Sequence, residues 1–137
     1  MTTIRKETLI DAPADKVWAA LEDFGALHER LVPGFVLAAE LHGDVRVITF
    51  FNGAVASEQL VGLDPDARRL AYTVVDGPLG STYHHASAEV VPEPDGRSRF
   101  VWITDVLPHE LGAPTDALME RGIAVIRETL SQGRLVG

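Results

Sequence analysis

The sequence predicts an α+β fold: a curved antiparallel sheet of six or seven strands around one long C-terminal helix, with two short helices after the first strand. Three observations predict it. A strand-like opening segment runs into a helix-start signal; residues 35–107 hold short apolar runs separated by turn residues; and an amphipathic helical stripe follows residue 114.

Residues 3–11 read as the first strand. Ile4, Lys6, Thr8 and Ile10 share one face, so the alternation is imperfect. Asp11-Ala12-Pro13 then reads as a helix start, because proline at the first helical position lacks only an N–H that would be unpaired there. Val17, Trp18, Ala20 and Leu21 give that short helix an apolar face, and Trp18 belongs in the core between it and the sheet. A second helical stretch, residues 24–31, carries Phe24, Leu27 and Leu31 and ends at Pro33-Gly34.

From residue 35 the period changes to two. His42-Gly43-Asp44 separates Phe35–Leu41 from Val45–Phe51. Asn52-Gly53 is the strongest hairpin signal, since a two-residue turn asks both positions to accept positive φ. Asp64-Pro65-Asp66 closes Val55–Leu63, Asp76-Gly77-Pro78 closes Arg69–Val75, and Pro94-Asp95-Gly96 separates Tyr83–Val91 from Arg99–Leu107. Connections this short force antiparallel neighbours, hence a meander. Pro114-Thr115-Asp116 opens the last helix, which is expected to run to Gln132 and stop at Gly133. Leu118, Met119, Gly122, Ile123, Val125, Ile126, Thr129 and Leu130 form its apolar stripe. A helix of about eighteen residues is about 27 Å long, enough to cross a small sheet.

A chain of 137 residues suits one domain spanning 1–137. It has no cysteine, which excludes disulfides and thiolate chemistry. No apolar signal core or membrane-spanning run is seen, so a cytoplasmic location without membrane insertion is expected. Twelve basic against twenty acidic residues give a net charge of −8. That opposes long contact with a nucleic-acid backbone, and no nucleic-acid partner is expected. Solubility is the plain reading of the charge, and small neutral molecules remain the natural partners. The oligomeric state is left open, a homodimer being one option.

No dinucleotide, phosphate-loop, serine-elbow or EF-hand pattern occurs, and no cofactor is expected. His84 and His85 are adjacent, so in a strand they face opposite sides and cannot share one metal; no metal site is expected.

Taken in order, Ile10-Asp11-Ala12-Pro13-Ala14-Asp15-Lys16-Val17-Trp18, Phe24-Gly25, Val45-Arg46-Val47-Ile48-Thr49, Gly53, Glu58-Gln59-Leu60, Leu70-Ala71-Tyr72-Thr73-Val74 and Phe100-Val101-Trp102 resemble the START-like helix-grip (SRPBCC) superfamily. Within it the chain resembles the polyketide cyclase/dehydratase branch, over nearly its whole length. That family includes aromatase/cyclases, lipid and hormone carriers, hormone receptors and co-chaperone domains, so fold alone does not give function. The resemblance implies an apolar cavity between the concave sheet and the last helix. It implies that Glu58 lines the cavity, and it places Ile48, Phe50, Tyr72, Val74, Tyr83 and His85 inward, with Arg46 near the rim. Ile126 would meet the ligand from the helix, where Gly122 would make room for the ligand or allow close sheet contact.

A carboxylate facing an apolar cavity loses hydration, which raises its pKa unless a cation such as Arg46 pairs with it. Glu58 is therefore a candidate acid or base, and equally a salt-bridged wall residue. An inward His85 would shuttle protons near neutral pH or donate one hydrogen bond to a ligand. Tyr72 and Tyr83 would hold a ligand oxygen. Trp102 has ambiguous parity, because Phe100, Trp102 and Thr104 are as apolar as Val101, Ile103 and Leu107, and the second choice would turn Asp105 inward.

The resemblance thus implies binding of a small hydrophobic, carbonyl-bearing metabolite, with cofactor-free cyclisation or dehydration carried by Glu58 and His85. The alternative is a non-catalytic carrier or sensor. A third reading, a co-chaperone-type interaction domain, requires an exposed apolar patch.

Overall fold

The computed structural model describes residues 2–131. Seven strands form one antiparallel sheet: β1 (Thr2–Ile10), β2 (Val36–His42), β3 (Val45–Phe50), β4 (Val55–Asp64), β5 (Arg69–Asp76), β6 (Tyr83–Pro92) and β7 (Ser98–Leu107). Their spatial order is β1-β7-β6-β5-β4-β3-β2. The meander runs β2 to β7, and β1 returns beside the last strand, pairing Thr2 with Val106 and Ile10 with Ser98. Helix α1 (Ala14–Glu22) and the long helix α2 (Gly112–Ser131) complete the α+β architecture.

The segment after β1 departs from expectation in detail. Pro13 stands one position before the first helical residue, and its carbonyl accepts the Lys16 and Val17 amides. Residues 24–31 form not an α-helix but a 3₁₀ turn (Phe24–Ala26) and a π-type turn (Leu27–Leu31). These turns bury Phe24, Leu27 and Leu31 at one end of the sheet.

At the Asn52-Gly53 hairpin only Gly53 takes positive φ, at 85°. The Asn52 side-chain oxygen instead accepts the Ala54 amide, and the Gly53 amide reaches the Phe50 carbonyl. A turn of this kind needs glycine at one position alone.

Strand β4 has register shifts between Ser57 and Glu58 and between Leu60 and Gly62. Such bulges bend a strand and increase its twist, and here they help curve the sheet around α2. The helix starts two residues earlier than the sequence suggests, with Pro114 inside its first turn, where no intrahelical amide is required. The expected stop at Gly133 lies outside the described residues.

Helix α2 lays Thr115, Met119, Gly122, Ile123, Ile126 and Leu130 against the sheet. Met119 packs with Ile4 and Val106 in a small satellite cluster. Ile123, Ile126 and Leu130 join the main core with Val17 and Trp18 of α1 and Phe100 of β7. Lys6 ties β1 to the helix through Asp116 and Glu120, each at 2.7 Å. Ser131 accepts the Asp11 amide at the other end. Leu37, Leu41, Val61 and Val75 stay exposed. No described helix is long and apolar enough to cross a membrane.

Candidate functional site

The concave sheet, α2 and the turns of residues 24–31 enclose a cavity of about 120 Å³. For scale, an apolar cavity of about 150 Å³ accepts benzene. The enclosed space therefore matches a single ring. Its walls are apolar over most of their area, with Leu27, Phe35, Ile48, Phe50 and Phe100 prominent. Its mouth is bordered by the loop after β5, through Gly77, Pro78, Leu79 and Ser81.

Two buried charges interrupt this lining. Arg46 and Glu58 stand directly opposite each other on β3 and β4, at 5% and 6% exposure. Arg46 Nε donates to Glu58 Oε1 at 2.8 Å, and Nη1 donates to the Phe24 carbonyl at 3.3 Å. The guanidinium lies 3.9 Å from the Phe24 ring centroid and 5.1 Å from that of Tyr72. A buried charge requires such compensation: an opposite charge, a hydrogen bond and a polarisable face. The condition under which Arg46 pairs with Glu58 is met. Arg46 is within the wall, not at an exposed rim.

Tyr72 on β5 is buried. Its hydroxyl oxygen accepts the Trp102 Nε1–H at 3.3 Å. Burial, and next the negative charge of Glu58, push its pKa far above the ordinary tyrosine value. The phenol stays protonated, and with its oxygen already accepting from Trp102 its own proton can be donated to a ligand oxygen.

The histidine assignment is corrected. His84 lines the cavity and His85 lies on the opposite face of β6. Ala86, Ala88 and Val90 are buried, so even positions of β6 face inward by the two-residue period. Tyr83 is corrected by the same parity: it is 49% exposed and off the wall. The signal was present, since Ala86, Ala88 and Val90 share one parity while Ser87 and Glu89 share the other. The His84 ring stacks on Tyr72 with centroids 6.4 Å apart. Burial holds its pKa below the ordinary histidine value, while the charge of Glu58 pulls the other way. The imidazole is neutral at pH 7.

The sheet register relates these groups. Arg46 pairs with Glu58, and Glu58 with Val74, across β3, β4 and β5. Val74 and His84, the positions next to the Thr73–His85 pair, both line the cavity. Two strand spacings, roughly 9–10 Å, separate the Glu58 and His84 backbones.

Ile48, Phe50, Val74 and Ile126 also line the cavity. Gly122 does not: a side chain there would meet Trp102 Cζ3 at 3.1 Å and Phe35 Cε2 at 3.4 Å. The helix glycine is a seat for two wall rings. Phe100, Trp102 and Thr104 face inward on β7, which leaves Asp105 outward as acceptor of the Thr3 hydroxyl. Sequence reasoning named Thr104 only within one of the two faces open for the last strand, and it missed Thr115 and the loop after β5, which carry no pattern of their own. Among the described residues no three histidine, aspartate or glutamate side chains converge as metal ligands.

Fold and site together define a helix-grip protein with an enclosed ligand-sized cavity. The chain belongs to the family described as polyketide cyclase / dehydrase and lipid transport, which matches residues 1–132. A comparison with curated proteins finds no match. The chain is similar to a Thermobifida fusca protein solved by NMR, with 34% identity, TM-score 0.81, and coverage of 98% of this chain and 95% of that one. It is similar in fold to norcoclaurine synthase from Thalictrum flavum in complex with dopamine and hydroxybenzaldehyde (21% identity, TM-score 0.73, 98% and 86% covered). It is also similar in fold to the di-domain ARO/CYC BexL of the BE-7585A biosynthetic pathway (16% identity, TM-score 0.80), covering 94% of this chain and 46% of that one.

Proposed function

We propose that this protein binds a small hydrophobic, carbonyl-bearing metabolite in the cavity and promotes a cofactor-free proton transfer on it, of the kind that leads to cyclisation or dehydration. The observation that carries the reading is the triple of Glu58, Tyr72 and His84 on one apolar wall. Tyr72 supplies a phenol that keeps its proton and can polarise a carbonyl. His84 supplies a neutral imidazole that can take the proton made acidic by that polarisation. Glu58, fixed by Arg46, stabilises the imidazolium that forms. The family membership and the aldehyde held by norcoclaurine synthase support a carbonyl ligand.

The test uses phenylacetone as a probe of ring size. Its α-protons should exchange with D₂O faster in the presence of wild-type protein, read by NMR. The His84→Gln variant should lose most of that acceleration while still binding the probe, and Tyr72→Phe should lose it even when the probe is raised to saturation. Binding without accelerated exchange in the wild type would favour the second reading, a carrier, for which the engagement of Glu58 by Arg46 already speaks. Absence of binding would overturn both.

A further inference from the structure

We infer that the cavity contains a second polar point, formed by Thr104, Thr115 and His84, which reads a neutral hydroxyl on the ligand. The inference rests on the proposed function, since it assigns a feature of the same ligand.

Four buried side-chain polar atoms among the described residues lack a hydrogen-bond partner. Three of them, His84 Nδ1, Thr104 Oγ1 and Thr115 Oγ1, belong to residues lining this cavity. Thr104 is 1% and Thr115 3% exposed. Leaving such a group unpaired costs about 1–3 kcal/mol, so native proteins rarely keep one without a use. Three around one cavity point to a ligand that completes them.

The fold brings the three to one end. Thr104 is the cross-strand partner of Ile4 on one side and of Ala86 on the other. His84 pairs with Val106, two residues beyond Thr104 on β7, so the two side chains are diagonal neighbours on the inner face. Met119 packs on Ile4 and Val106. Thr115 lies one helical turn before Met119 on the same face of α2, over this same end of β7. Close approach of the Gly112 position to Thr2, which pairs with Val106, fixes the helix there.

The chemistry is selective. Two hydroxyls and one neutral imidazole can each donate or accept, and none carries a formal charge. They suit an alcohol or phenol, which also donates and accepts. A carboxylate would bring an uncompensated charge, because the one cation of the wall, Arg46, lies on the far strands and is engaged by Glu58. The ligand thus presents a carbonyl toward Tyr72 and a hydroxyl toward the threonines.

The experiment compares p-cresol with p-xylene as probes, the same shape with and without a hydroxyl. Wild-type protein should bind p-cresol about ten-fold more tightly, by calorimetry or NMR titration. The Thr104→Val/Thr115→Val double variant should lose that preference and keep its p-xylene affinity. Its melting temperature should not fall, since isosteric methyl groups replace unpaired hydroxyls. Equal wild-type affinity for both probes would overturn the second polar point while leaving the cavity reading intact. Binding of neither probe would remove the cavity reading itself, and this inference with it. A lowered melting temperature with the preference retained would assign the hydroxyls a structural role and overturn the inference.

Discussion

Glu58 on β4 and His84 on β6 face the same cavity from strands separated by β5, whose Tyr72 and Val74 line the wall between them. The arrangement puts a paired carboxylate and an uncharged imidazole on the same cavity wall without direct contact. Each influences the other through the low-dielectric interior, and burial outweighs the carboxylate in setting the state of the histidine.

A stability profile follows. In the unfolded chain His84 titrates near 6.5, whereas burial lowers its folded value. Between the two values unfolding takes up a proton, so stability rises with pH. The contribution is fully present above about pH 6.5 and is lost as the pH falls through the folded value. Urea denaturation at about pH 7.5 and about pH 5.5 should show a smaller acid loss for His84→Gln than for the wild type. Equal losses would contradict the buried neutral state.

The Arg46–Glu58 pair makes a second prediction. Removing one partner leaves a buried charge uncompensated, which costs about 3–5 kcal/mol. Arg46→Met and Glu58→Leu should each be strongly destabilising. The double variant should be far less so than their sum, because two apolar side chains replace two desolvated charges. A double-mutant cycle by chemical denaturation measures the coupling. Additive losses would mean that Arg46 contributes chiefly through its contacts with Phe24.

Tyr72→Phe separates binding from folding. The change removes the acceptor of Trp102 Nε1, a partly buried donor, at a cost of about 1–3 kcal/mol. It also removes the hydroxyl proposed to hold the ligand carbonyl. Affinity for an aryl ketone should fall about ten-fold, and affinity for a matched hydrocarbon should not change. An equal fall for both would mean that the variant disturbs the wall and that the hydroxyl makes no bond to the ligand.

The meander and the long helix could be read from the sequence because turn residues and apolar period are local properties, whereas the pairing of β1 with β7 joins the two ends of the chain and leaves no local signal. On β3 and β4 the resemblance turned Ile48, Phe50 and Glu58 inward, and all three line the cavity. It failed on β6, where it favoured Tyr83 and His85 although Ala86, Ala88 and Val90 already set the parity that turns His84 inward. Alternation was silent on β7, whose two faces are both apolar, and the choice came only with Asp105 bonded outward to Thr3. The role of Thr104 and Thr115 was invisible because it depends on a helix and a strand meeting across 10 residues of intervening chain and on the absence of local partners. The 3₁₀ and π-type turns at 24–31 lay beyond periodicity, since neither keeps the 3.6-residue repeat.

Gly122 tests the packing behind the cavity. Alanine in mid-helix is favoured over glycine by about 1 kcal/mol. Against that, the new methyl would lie 3.1 Å from Trp102 Cζ3 and 3.3 Å from Cη2. The Trp102 ring is on the cavity wall and can yield into empty space, so the strain of overpacking, usually about 1–3 kcal/mol, should fall at the low end. Gly122→Ala should therefore leave the melting temperature nearly unchanged while the indole moves inward and the cavity shrinks. Ligand affinity should drop, and Trp102 fluorescence should shift as its bond to Tyr72 is disturbed. Unchanged affinity with a lowered melting temperature would show that the ring cannot yield and that the glycine serves helix–sheet contact alone.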